Sequence, residues 1–313
     1  MRIIDAEAVA ALGWPTAIDS IRTAAVSDSG AGGPPRTVVD VRAGQLLLMP
    51  ATVDRYAGVK VVSIAPDNPA HGLPRVQGAY LLFDAATLGI AAVVDGVALT
   101  TLRTAAVSAL AVDRLARPEE ARLVVFGCGP QARGHIQALA QVRPIRQVTI
   151  VSRRDGPAEA LARHCVSEGV RASVGRPEAV AEADIVVCAT TARTPVFDST
   201  ALSAHAVVVA IGSHEPDARE VDSALVERAT VVVESRAAAL REAGDILLAI
   251  ADGVPSEQAI DGDLADLISG RMTVPANRPR LWKSVGEAWE DLAVAAAVYE
   301  STSVRAPDTT TNR

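Results

Sequence analysis

The sequence predicts an α/β protein in two parts: a doubly wound parallel sheet, preceded by a largely antiparallel α+β segment. Three observations predict it. From Arg117-Pro118 onward, short β-branched runs alternate with helical segments, as in strands covered by helices on both faces. Before that point, strand-like runs follow one another directly, with only turn residues between them. The chain has 313 residues, 49% hydrophobic and 21% charged, more than one ordinary domain holds.

The elements can be justified in order. Asp5 can cap a short helix through Leu12, and Pro15 to Val26 forms a second helical stretch. Ser27 to Pro35 is a Gly/Pro/Ser loop. Strands follow at Thr37 to Val41, Gln45 to Met49, Val59 to Ile64, Ala79 to Asp84 and Ile90 to Asp95. Turn chemistry separates them, in Arg42-Ala43-Gly44 and Pro66-Asp67-Asn68-Pro69. Thr101 to Leu115 has helical spacing, with Leu102, Ala105, Ala106, Ala109, Leu110 and Val112 on its apolar positions. Beyond Pro118, strands are expected at Arg122 to Phe126, Gln147 to Val151, Ile185 to Ala189, Val207 to Ile211 and Thr230 to Glu234. Gln131 to Val142 and Ala158 to Glu168 are helices between them. No internal repeat is visible. Ser301 to Arg313, polar with Pro307 and a Thr run, reads as a mobile tail.

Composition narrows the function classes. With only 3% aromatic residues, the core must be aliphatic. A formal charge of −7 and a pI near 5.3, without a basic stripe, argue against nucleic-acid binding. Uncharged stretches such as Gly89 to Val94 fall short of a membrane span. Met1-Arg2-Ile3-Ile4-Asp5 lacks an apolar leader core, so a cytoplasmic location is expected. Cys128, Cys165 and Cys188 are too scattered for a metal site or a disulfide framework. No metal is expected.

The clearest chemistry lies at Val124-Val125-Phe126-Gly127-Cys128-Gly129-Pro130-Gln131-Ala132, where a strand runs through G-x-G-x-x-A into a helix. Gly127 permits the tight turn and Gly129 lets backbone approach a pyrophosphate. Ala132 allows close helix–sheet contact, and Pro130 and Gln131 open the helix. The end of the second strand bears on which dinucleotide binds. An NAD site places a carboxylate there for the ribose 2′-hydroxyl, but this chain continues Ser152-Arg153-Arg154. A hydroxyl with two guanidiniums suits a 2′-phosphate, so NADPH is expected rather than NADH.

Three cations mark the first part. Arg103 falls in the first turn of its expected helix, where a cation opposes the dipole, so an anionic ligand would explain it. Lys60 interrupts the apolar run Val59-Lys60-Val61-Val62 and, if buried, could donate a proton. Arg36 follows Gly32-Gly33-Pro34-Pro35. In the second part, Gly212-Ser213-His214 ends a buried strand, which would bring His214 near a ligand. Ala243-Gly244-Asp245 reads as a helix-to-helix break and Lys283-Ser284-Val285-Gly286 as a loop opening the last helix.

These stretches, with Pro35 to Val39, Met49-Pro50-Ala51, Leu99 to Ala106 and Pro216 to Val221, resemble the ornithine cyclodeaminase/μ-crystallin family over roughly residues 2 to 300. The resemblance implies a Rossmann NAD(P) domain, residues 117–288, and a substrate-binding and dimerisation domain, residues 1–116 with 289–313. It implies that Arg36, Lys60 and Arg103 hold the substrate carboxylate and assist proton transfer, with Lys60 the proton relay. Thr104 beside Arg103 is a further expected substrate contact, and His214 an expected substrate contact or acid. It adds Gly212, Ser284, Val285 and Gly286 to the cofactor residues. Aligning Gly212 and Pro216 places His214 where cyclodeaminases have an aspartate for the substrate's side-chain amine, which speaks against that reaction. The expected function is NADPH-dependent reduction of a small α-imino acid, of the 1-pyrroline- or 1-piperideine-2-carboxylate type, by a homodimer. The alternatives are an NAD-dependent cyclodeaminase or amino-acid dehydrogenase, or a non-catalytic NADPH-binding protein.

Overall fold

The computed structural model describes residues 1–27, 33–53, 55–119 and 121–304. They form two compact units: Met1–Thr104 with the segment beginning at Glu287, and Ala105–Gly286.

The first unit is a six-stranded sheet with helices. In chain order its elements are β1 (Arg2–Ile4), α1 (Ala6–Ala10), α2 (Trp14–Ala25), β2 (Thr37–Val41), β3 (Gly44–Val53), β4 (Tyr56–Ile64), β5 (Val76–Asp84) and β6 (Ile90–Asp95). The helix α3 (Gly96–Leu115) follows, and α10 (Ala288–Val304) returns to this unit. Sheet order is β1-β6-β5-β4-β3-β2, antiparallel except for β1 alongside β6. The short β1 is not foreseen by the sequence. Asp5 caps α1 by accepting from the Ala8 N–H at 2.9 Å.

Cross-strand pairing sets one residue row. Met49 pairs with Lys60, Lys60 with Tyr80, Tyr80 with Val94 and Val94 with Ile4. Directly paired residues share a face, and all five are buried. The opposite face carries Val39, Leu48, Val61, Leu81 and Val93, none of them buried. α10 lies against β3, β4 and β5.

Helix α3 corrects the sequence reading. It begins five residues earlier than expected, at Gly96, because Asp95 caps it by accepting from the Val97 and Ala98 N–H groups at 3.0 and 2.8 Å. Thr101, the expected first residue, and Thr100 before it lie inside the helix, their hydroxyls bonded to the Val97 and Gly96 carbonyls. Arg103 therefore sits in the helix interior, and the dipole argument for an anion at its first turn fails. α3 has the length and apolarity of a membrane span, but 72% of its apolar window is buried in the protein.

The second unit is an eight-stranded parallel sheet. Its strands are β7 (Ala121–Phe126), β8 (Ile145–Val151), β9 (Ala172–Val174), β10 (Ile185–Cys188), β11 (Val207–Ala210), β12 (Thr230–Val233), β13 (Gly262–Asp263) and β14 (Arg280–Lys283). Their order is β13-β12-β14-β11-β10-β7-β8-β9, so strand order reverses between β7 and β10. Every residue of β10, β11, β12 and β14 is buried. Successive side chains point to opposite faces, so both faces are covered. The fold class is α/β, as expected. The helices α4 (Pro130–Leu139), α5 (Asp155–Ser167), α6 (Ser223–Arg228), α7 (Arg236–Glu242), α8 (Gly244–Ala251) and α9 (Leu264–Ser269) connect the strands.

Two further expectations change. Lys283 ends strand β14 rather than opening a loop, and α10 runs on through Ser301 to Val304. The rest of the expected tail, like residues 28–32 of the expected loop, lies outside the described residues.

Candidate active site

In the first unit the sheet row places Lys60 on the buried face, where α10 supplies its counter-charge. Lys60 Nζ lies 2.7 Å from Asp291 Oδ2. Arg103 joins the same carboxylate, its Nε 3.2 Å from Asp291 Oδ1, and its Nη1 lies 2.6 Å from Glu290 Oε2. Both carboxylates are wholly buried, and Lys60 and Arg103 are 2% and 5% exposed. Burial and the neighbouring Arg103 lower the Lys60 pKa from 10.5 to about 8, with Arg36 adding to the repulsion and Asp291 opposing it. Tyr80, paired with Lys60 across the sheet, is buried, and burial with the nearby Asp291 charge raises its pKa.

The structure thus brings Arg36, Lys60 and Arg103 into one electrostatic neighbourhood. Sequence reasoning missed Glu290 and Asp291. Two acids in the first turn of a helix read as ordinary dipole partners, and only the fold aims them at the sheet. Thr104, expected at the substrate, is bonded within its own helix. It is 6% exposed, and its hydroxyl donates to the Thr100 carbonyl at 2.7 Å, which leaves no hydroxyl proton for a carboxylate.

In the second unit the glycine turn stands between β7 and α4. Gly127 has φ +109°, and a Cβ there would lie 2.4 Å from the Ala189 carbonyl oxygen, so only glycine fits. Gly129 caps α4 without a side-chain hydrogen bond, and a Cβ on it would enter open space. Pro130 holds the first helical position, followed by Gln131, and Ala132 is fully buried against the sheet. An uncapped helix N-terminus behind a glycine cradle fits a pyrophosphate. At the end of β8, Ser152 is half-buried, and its hydroxyl accepts from the Arg154 N–H at 3.2 Å. Arg153 and Arg154 are exposed, and Asp155 opens α5 instead of ending the strand.

Ser284, Val285 and Gly286, expected at the cofactor, are bonded within the unit. The Ser284 hydroxyl and the Val285 and Gly286 N–H groups donate to Glu234, at 2.5, 2.9 and 2.8 Å, tying the strand ends of β14 and β12 together. They are occupied by the protein itself. His214 is half-buried in the turn that follows β11, and the Gly212 N–H donates to Glu220 at 2.7 Å.

With this geometry in place, comparison with known proteins is decisive for the family. The family model of the ornithine cyclodeaminase/mu-crystallin family matches residues 16–305. The chain belongs to that family. Among its relatives, a Delta(1)-pyrroline-2-carboxylate reductase of Bacillus thuringiensis subsp. konkukian is 36% identical over 267 residues, 81% of this chain and 80% of the relative. The ketimine reductase mu-crystallin of Rattus norvegicus is 35% identical over 280 residues, 88% and 87% of the two chains. Among solved structures, the Thermococcus litoralis Delta(1)-pyrroline-2-carboxylate reductase in complex with NADH and L-proline superposes with TM-score 0.92 at 31% identity, covering 97% and 98% of the chains. An archaeal alanine dehydrogenase dimer with bound NAD gives 0.91 at 29% identity, covering 97% of each chain. A pyridine-nucleotide cofactor is thereby supported.

Proposed function

We propose that the protein is an NAD(P)H-dependent reductase of a small α-imino acid, such as 1-pyrroline- or 1-piperideine-2-carboxylate. The observation that carries this reading is the Lys60–Arg103 pair buried on Asp291 and Glu290 in the first unit, where burial and Arg103 lower the lysine pKa to about 8 against the pull of Asp291. A carboxylate arriving there would relieve cation–cation repulsion. Arg103 and Arg36 would hold that carboxylate, and the planar guanidinium fork would fix its orientation. The Lys60 ammonium would give a proton to the imine nitrogen and be left as the neutral amine, which a pKa near working pH permits. A bound nicotinamide would supply the hydride that the imine carbon accepts. The relatives named as reductases of such imines support the same reaction.

We further propose NADPH as the preferred donor. A half-buried hydroxyl and two exposed guanidiniums follow β8, where a carboxylate would select NADH. The test is oxidation of NADPH and of NADH with both cyclic imines, alongside ornithine with NAD. Formation of proline or pipecolate with NADPH, and no ammonia from ornithine, is the expected result. Ammonia released from ornithine with catalytic NAD would replace the reductase by a cyclodeaminase.

The outer sheet face, with Val39, Leu48, Val61, Leu81 and Val93, is apolar and incompletely covered, and Val39 is 42% exposed. Such a face suits an isologous contact, so we propose a twofold homodimer through it. Sedimentation at micromolar concentration should give the dimer mass, and Leu48→Glu with Val61→Glu should give a monomer.

A further inference from the structure

The second unit contains a buried ionic group that the reductase reading leaves unused. Lys283, Asp245 and Glu220 are each at most 1% exposed. Lys283 Nζ lies 2.8 Å from Asp245 Oδ2 and donates to the Ser213 carbonyl at 2.6 Å. Asp245 accepts from the Glu220 and Val221 N–H groups at 2.6 and 3.0 Å. Glu220 accepts from the Gly212 N–H at 2.7 Å, and from the Thr190 N–H and hydroxyl at 2.8 and 2.7 Å. Thr190 and Gly212 follow β10 and β11, and Lys283 ends β14. Three parallel strand ends are therefore joined through one cluster.

Burying three ionisable side chains is unfavourable, and apolar residues would hold strand ends together with less penalty. Charged groups can do something else, which is to fix the direction of individual backbone groups. Here the Gly212 N–H, and the Ser213 carbonyl that joins directly to His214, are each held. The same turn is compressed from both sides. A Cβ on Gly212 would lie 2.2 Å from the Thr190 carbonyl oxygen and 2.4 Å from Glu220. A Cβ on Gly244, the first residue of α8, would lie 2.1 Å from the Ala218 carbonyl oxygen. Ser213 Oγ closes the turn internally, donating to the Ala218 carbonyl at 2.8 Å. On its outer side, Arg193 pairs with Glu215 at 2.5 Å and Asp217 at 2.6 Å.

The position of the turn gives this rigidity a use. A dinucleotide whose pyrophosphate meets α4, and whose adenosine end reaches the residues after β8, must place its other nucleotide over the half of the sheet containing β10 and β11. We propose that Lys283, Asp245 and Glu220 are positioning residues that hold the Gly212-Ser213-His214 turn in one conformation and so present His214 at the nicotinamide half of the unit. The proposal rests on the reductase reading only in taking that half as the place of reaction.

The test is the double variant Lys283→Met with Asp245→Asn. It removes both charges of the pair, so neither is left buried alone, and the asparagine Oδ1 still accepts from Glu220 and Val221. Thermal stability should fall somewhat, since buried Glu220 loses the pull of Lys283 and the Ser213 carbonyl loses its donor, while NADPH affinity should stay within about twofold of wild type. The kcat for imine reduction should fall about 10- to 100-fold, the scale of a small misplacement of a reacting group. The His214 imidazole NMR resonances, assigned with His214→Asn, should move. A folded double variant with wild-type kcat and unmoved His214 resonances overturns the proposal. Should that variant not fold, Glu220→Gln decides: its single amide oxygen cannot accept from both Gly212 and Thr190, so one strand end is released, kcat falls with NADPH affinity kept, and a wild-type kcat overturns the proposal. If the wild-type protein itself reduces no imino acid, the reductase reading fails, and the His214 resonances still test the positioning.

Discussion

Two buried ionic clusters, one in each unit, use similar side chains and reach opposite results. In the first unit, Lys60 and Arg103 meet Asp291 and Glu290 on one helix, with Arg36 near enough to add repulsion. The group under strain is a cation, because burial and Arg103 lower the Lys60 pKa to about 8. In the second unit, Lys283 meets Asp245 while Glu220 binds backbone N–H groups. There the strained group is an anion, because burial and the neighbouring Asp245 raise the Glu220 pKa, against the opposing pull of Lys283. The sign of the strained group tells what each cluster would accept. The first would be relieved by a carboxylate, whereas the second holds its own backbone and offers an anion nothing.

The sharpest way to break this comparison is Lys60→Met. If Lys60 gives the proton, turnover should fall by about 10²- to 10⁴-fold, while NADPH affinity, measured by fluorescence titration, stays unchanged. Turnover like wild type would leave Lys60 a strand lysine. Asp291→Asn comes next. Removing one partner of a buried pair should destabilise the protein by about 3–5 kcal/mol in denaturant titration. It should also lower the Lys60 pKa further, since Asp291 is the group that raises it against burial, Arg103 and Arg36. Glu290 and Tyr80 face the same lysine neighbourhood and stay in place. The wild-type kcat/KM should decline as pH rises through about 8, and in Asp291→Asn that decline should move to lower pH by about one unit or more. An unmoved limb would detach Asp291 from the chemistry.

The remaining two predictions concern charges that neither cluster contains. Replacing exposed Arg153 and Arg154 together with Ala should weaken NADPH roughly 10- to 100-fold and NADH hardly at all, because only NADPH carries the 2′-phosphate. Equal loss for both cofactors would reject the NADPH preference. His135 shows a third way to bury a titratable group, by staying neutral. It is fully buried, its Nδ1 is 2.7 Å from the Gln131 carbonyl and its Nε2 3.0 Å from Ser108 Oγ. Burial lowers its pKa from 6.5 to about 4. Between those values the unfolded chain binds the proton and the folded one does not. Stability is therefore fully present above pH 6.5 and falls by up to about 3 kcal/mol as pH approaches 4. His135→Asn should flatten that part of the melting curve against pH.

The legible residues were those whose type is informative in isolation. Gly127 and Gly129 stand out because a strand precedes them and a helix follows, and Lys60 because a charge inside an apolar run needs a reason. The helix start at Gly96 is hidden because a glycine and two threonines are poor helix formers, and the Asp95 cap that sets it shows only in the fold. The strand β14 was hidden because it begins with Arg280 and ends with Lys283, yet both are buried: Arg280 donates to the His205 carbonyl at 2.9 Å, and Lys283 pairs with Asp245.

By itself the sequence determined the strand–helix alternation, the glycine turn with the Ser152-Arg153-Arg154 end beside it, and the three cations of the first unit. Each of these depends on neighbours along the chain, where periodicity and turn chemistry act. Only the tertiary structure decided that Asp291 serves both Lys60 and Arg103, and that Ser284 to Gly286 are bound to Glu234. It alone showed that Gly244, Asp245 and Lys283 belong with the His214 turn. Those partners lie from tens of residues to more than two hundred apart. The energy of a buried charge depends on what the fold brings within a few ångströms, and no local pattern records that distance.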